Sequence, residues 1–170
     1  VKHNRTNITG FTLIELLAAI VVMSIISVTI MPVIAAASES YTVARQVRSS
    51  TERAGYALDR ITRVVRQAPI GTGSSGIGIS TAGLSTVVFS DGSGFQLMDT
   101  TLEMLVPGEN PTPLCFNVSS FTVRYLGDDG VSDTVLTPTQ THRLAFTIIT
   151  ENVEMSVVVL PRVWIGQVTP

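Results

Sequence analysis

Cysteine is almost missing from this chain: Cys115 is the only one in 170 residues. A single thiol excludes an intrachain disulfide framework and a multi-cysteine metal centre. Histidine is nearly as scarce. His3 and His142 lie far apart, which excludes a three-histidine centre. Lysine occurs once, at Lys2, and only 14% of residues are charged, with a net charge of −2. Tracking a phosphate backbone demands a concentration of Lys and Arg, so no nucleic-acid partner is expected. No Gly-rich loop carries the lysine of a phosphate-binding motif; Ser74 and Ser75 stand in a Gly/Ser tract without one. Nor does the pattern support a catalytic dyad, so the expectation is a non-enzyme without cofactors.

What the chain has instead is apolar surface: 45% of residues are hydrophobic, and much of the excess sits between Phe11 and Ala37. That run carries one charge, Glu15. As a helix it is about 40 Å long at 1.5 Å per residue. The hydrocarbon core of a bilayer needs about 30 Å. The run therefore spans, and it is too long for the 7–15-residue apolar core of an ordinary secretory signal. The ten residues before it carry Lys2 and Arg5 against no acid, which favours a cytoplasmic amino end. Arg45, Arg48 and Arg53 follow the run and weaken that asymmetry. A carboxylate inside a lipid-spanning helix costs about 3 kcal/mol on insertion scales unless it is paired. No Lys or Arg lies within the run, so Glu15 asks for a cation from outside.

Gly10-Phe11-Thr12-Leu13-Ile14-Glu15, joined to the apolar helix, resembles the prepilin peptidase recognition segment of type IV pilins and type II secretion pseudopilins. The resemblance implies cleavage after Gly10, N-methylation of Phe11 and pairing of Glu15 with a neighbour's new amino terminus. It also implies that Pro32 is a helix-kinking proline. Partners would be prepilin peptidase, other pilins or pseudopilins, an inner-membrane assembly platform and the lipid bilayer. The protein would sit in the bacterial inner membrane as a single pass, its outer domain extracytoplasmic, and be drawn into a fibre. A second reading keeps it as a bitopic membrane protein whose outer domain binds a ligand or partner and never enters a fibre. That reading has no use for Glu15.

Beyond the span, Val43, Val47, Thr51, Ala54, Leu58, Ile61, Val65 and Ala68 recur at spacings of three and four. They predict one apolar stripe on a helix whose other faces are polar and rich in arginine. Pro69 ends it. Gly71 to Gly83 reads as a flexible Gly/Ser linker. Strands are predicted at Ser85–Ser90, Phe95–Met98, Thr101–Val106, Ser119–Leu126, His142–Thr150 and Met155–Leu160, with Arg162–Ile165 as a continuation. Pro107 to Pro113 reads as a loop. The strand at His142–Thr150 is partly apolar on both faces and is expected to be central. The fold expected is α+β and type IV pilin-like: a long N-terminal helix, transmembrane in its first half, on a C-terminal antiparallel sheet. Its parts are a leader at 1–10, the membrane half at 11–37, the amphipathic half at 38–68, the linker at 69–84 and the β domain at 85–170.

Two segments, Arg53–Pro69 and Asn117–Gly130, resemble the minor pseudopilin group of the J or W type. The chain lacks the paired-cysteine loop of many major pilins, which on that resemblance implies a minor subunit or a secretion pseudopilin. Asp128, Asp129 and Asp133 are weak candidates for a Ca²⁺ site. Their spacing matches no EF-hand loop, and a turn with solvated acids is the plainer reading. Cys115 is read as a half-buried thiol and His142 as a polar rim residue.

Overall fold

The computed structural model describes residues 12–71, 76–151 and 153–165. The chain divides into two units, residues 1–45 and 46–170. Helix α1 (Leu13–Arg66) supplies residues to both.

Between Leu16 and Ala37 the helix is apolar on every side, and three of its hydroxyls satisfy themselves. Ser24, Ser27 and Thr29 donate to the carbonyls of Ile20, Met23 and Ile26 at 2.8, 2.8 and 2.9 Å. Bonds of this kind leave no free donor to face lipid. The helix runs through Pro32 as α-helix, although proline has no N–H to give to the carbonyl of Val28.

In the second unit the helix is amphipathic. Ala54, Ala57, Leu58, Ile61, Val65 and Ala68 are buried. The stripe begins later than its spacing suggests: Thr51 is exposed and Val47 is only half-buried. Ala57 joins the buried face because it stands one helical step from Ala54 and Ile61. The last turn tightens before Pro69. Gln67 and Ala68 donate to Val64 and Val65, three residues back, at 3.0 and 3.1 Å.

The β part forms two antiparallel sheets where one was expected. The first has five strands in chain order: β1 (Ile79–Ala82), β2 (Thr86–Phe89), β3 (Gly94–Met98), β4 (Thr101–Leu105) and β5 (Thr112–Phe116). The second has three: β6 (Val118–Leu126), β7 (Arg143–Thr150) and β8 (Glu154–Val159). The strand expected to be central, β7, lies between β6 and β8.

Three local expectations are corrected. Strand β1 lies in the stretch read as a flexible linker. Ser80 Oγ donates to Val88 and Phe89 carbonyls at 3.0 and 3.1 Å, and Ile70 bridges Ile77. Isolated isoleucines among glycines carry no periodicity, so nothing local marks the pairing. Strand β5 includes Pro113, in the tail of the proline-rich loop. It is an edge strand, paired only with β4, where a missing N–H is tolerated. Arg162–Trp164 is a 3-10 turn rather than a strand. Trp164 stacks on His142, ring centres 3.8 Å apart, and its indole N–H donates to the Thr141 carbonyl at 2.9 Å.

Asn117 makes the step between the sheets. Its φ of 58° is left-handed, a conformation that asparagine tolerates better than most residues. At β3, a side chain on Gly94 would collide with the Val87 carbonyl of β2, so glycine permits that close pairing. One core joins the helix stripe to both sheets. Phe146 of β7 meets Phe95 of β3 edge-on at 6.4 Å and stacks with Phe121 of β6 at 6.1 Å. Tyr125 locks β6 to the β1–β2 turn. Its hydroxyl accepts from the Gly83 N–H and donates towards the Gly83 and Thr86 carbonyls, each at 3.0 Å. Burial pushes this phenol up to about 12.

The architecture is α+β: a long N-terminal helix packed through its second stretch on antiparallel sheet.

Candidate processing and assembly segment

Helix α1 starts on a sequence signal, Thr12-Leu13-Ile14-Glu15, that has the form of a capping box. The structure closes it. Thr12 N–H and Thr12 Oγ1 both donate to Glu15 Oε2 at 3.0 Å, and Glu15 N–H points back to Thr12 Oγ1 at 3.4 Å. The carboxylate thus sits at the positive end of the helix dipole and accepts two donors from its own chain. Oε1 has no hydrogen-bond partner among the described residues. Glu15 is therefore partly satisfied by the start of its own helix. Thr12, not singled out by the sequence reading, is the residue that closes this cap. The T-x-x-E spacing ahead of an apolar run is the signal that marks it.

Gly10 and Phe11 lie outside the described residues. After Thr12 the helix offers one stretch long and apolar enough to cross a membrane, with a mean hydropathy of 2.6 over its best window and no residue of that window buried.

The other candidates do not converge. Among the described residues no three His, Cys, Asp or Glu side chains gather as metal ligands. Asp128, Asp129 and Asp133 each cap their own loop. Asp128 accepts from the Asp129 N–H at 2.8 Å, and Asp133 from the Val135 N–H at 2.9 Å. Asp129 accepts from the Ser132 hydroxyl and from the N–H groups of Val131 and Ser132, the latter two at 2.9 Å. The Ser132 hydroxyl, then those amides, hold the Asp129 carboxyl at about 2. Cys115 is more deeply covered than half-buried, at 2% exposure. Burial pushes its thiol up, only partly offset by the charge of Arg53, so it is a poor nucleophile.

With this geometry in place, comparison with known families gives one match. Residues 5–31 fit the family described as the Prokaryotic N-terminal methylation motif. No curated protein matches the chain. The matched stretch holds Gly10, Phe11, Thr12 and Glu15 together and runs into the apolar helix. It supports the type IV pilin and pseudopilin family generally, a family of structural subunits rather than enzymes. It points to a pilin-like substrate of prepilin peptidase, anchored in the inner membrane and assembling with other pilins.

Proposed function

We propose that the protein is a minor pilin or pseudopilin, a structural subunit of a type II secretion or type IV pilus-like fibre. The observation that carries this reading is the methylation motif over residues 5–31, which ends inside an apolar helix with Glu15 at its start. Cleavage after Gly10 frees the amine of Phe11, and methylation keeps that amine basic. Glu15 then pairs with the amine of a neighbouring subunit. In low dielectric either charge alone is costly, so the pair sets register between subunits. The outer part is extracytoplasmic, and an inner-membrane platform draws the subunit into the fibre. The segments at Arg53–Pro69 and Asn117–Gly130 favour a minor pseudopilin of the J or W type.

Two measurements test it. The intact mass of membrane-extracted protein should show loss of the ten leader residues plus one methyl group. At equal membrane levels, Glu15→Ala should insert normally, because a charge has left the bilayer, yet recover fewer sister pilin-like subunits on crosslinking. Equal recovery by E15A and wild type would remove the assembly role of Glu15 and leave a bitopic protein that enters no fibre.

A further inference from the structure

Charge is segregated within the second unit. Helix residues 46–66 carry five arginines against two acids, net +3, whereas residues 67–170 carry three arginines against nine acids, net −6. The two helix acids are already used: Glu52 pairs with Arg48 and Asp59 with Arg63, each at 2.9 Å. Arg53 and Arg60 are exposed and have no carboxylate partner among the described residues. They flank Tyr56 at spacings of three and four, so the three side chains form one ridge. Tyr56 is 66% exposed. Arginine and tyrosine side by side on a solvent face are the residue types that dominate interface energetics.

The complement lies on the same chain. The loop between β6 and β7 carries Asp128, Asp129 and Asp133, all exposed. Beside them stand two apolar side chains with no cover, Val131 at 74% and Leu136 at 93% exposure. The ridge and the loop are thus both mixed apolar and charged, with opposite signs.

We propose that the Arg53–Tyr56–Arg60 ridge docks onto the Asp128–Leu136 loop of a second copy of this chain. The two surfaces differ, so one copy's ridge can meet the next copy's loop and leave its own loop for a third, a head-to-tail contact that suits a fibre. The proposal rests on the fibre reading and names the outer contact that would accompany the membrane one. A surface of lipid phosphates is the weaker fit, because it would repel the nine carboxylates of residues 67–170.

The experiment uses the full-length chain in a neutral detergent. Lys2 is the only lysine, so the double variant K2R/R60K leaves one side-chain amine, at position 60. Isotopically heavy and light copies are mixed and treated with a carbodiimide, which joins amines to carboxylates in contact. The expected product is a heavy–light link from position 60 to Asp128, Asp129 or Asp133. Self-association should fall about tenfold in R53E/R60E, should weaken with added salt, and should return when that variant is mixed with D128R/D133R. Links confined to one copy, or only to other carboxylates, would overturn the proposal. So would unchanged self-association of R53E/R60E alongside lost binding to phosphatidylcholine–phosphatidylglycerol vesicles, which would assign the ridge to headgroups. Glu15→Ala separates the two readings. If E15A loses its sister subunits while R53E/R60E associates normally, the fibre reading stands and this contact does not.

Discussion

One helix carries two kinds of surface. From Leu13 to Arg45 every residue is exposed in the single chain, Leu, Ile, Val and Met included. From Ala54 to Ala68 a stripe of small and branched side chains disappears into a core shared with two sheets. Both stretches are α-helix, so helix formation does not distinguish them. The difference lies in where the apolar area goes. The second stretch has a partner in its own chain and belongs to an autonomously packed unit. The first has none, and must be covered by lipid or by other helices. The methylation motif matched over residues 5–31 ends inside the stretch that has no core of its own.

The largest expected effect breaks this contrast at its buried side. Ile61 is fully buried, so Ile61→Asp should destabilise the second unit by about 3 kcal/mol through an unpaired internal charge. Ile25→Ala in the first stretch should leave the same urea midpoint unmoved. Equal shifts from the two substitutions would show that the stretches are not independent.

A smaller effect probes how the unit is held together away from the helix. Tyr125→Phe removes the hydroxyl bonded to Gly83 and Thr86 while keeping the ring. The Gly83 carbonyl loses its partner while the Gly83 N–H keeps its bond to the Thr86 carbonyl at 2.9 Å, so the cost should be about 1 kcal/mol, read from the urea midpoint. No change would mean that water replaces the hydroxyl in the β1–β2 turn.

The smallest effect concerns acid. Asp129 has a folded value of about 2 against an ordinary 3.8, so its contribution favours the native state above the ordinary value. That contribution fades as pH falls from about 4 and is gone below about 2. Wild type should therefore exceed Asp129→Asn in thermal midpoint at neutral pH, and the gap should close as pH falls through that window. A gap that persists at the acid end would locate the effect outside the carboxylate's charge.

Several elements are legible in the sequence because their causes are local. The apolar run shows its length directly. The helix stripe shows its period, and Pro69 marks its stop. Strands β6 and β7 alternate along their length, which no helix would do. The segment from Gly10 to Glu15 is readable because its residue types occur at fixed spacing. Thr12 is harder to read within that same segment. The cost of a carboxylate in lipid sends Glu15 to an external cation, whereas Thr-x-x-Glu capping sends the same side chain back to its own helix start. The late start of the buried stripe is also silent in the sequence: Thr51 keeps the period but finds nothing to pack on.

By itself, then, the sequence determined what each segment could become: a span, an amphipathic helix, alternating strands, a processing motif. Only the tertiary structure decided which segments met. Strand β5 exists because β4 offers it an edge that tolerates Pro113, and β1 because β2 supplies the partners that Ile79 and Ser80 lack alone. The split into two sheets rests on the left-handed step at Asn117 and on Phe95 meeting Phe146 across 51 positions of chain. Periodicity records how a residue faces its own element. It holds no information about which distant element will cover that face, because that choice is made by packing the whole core at once.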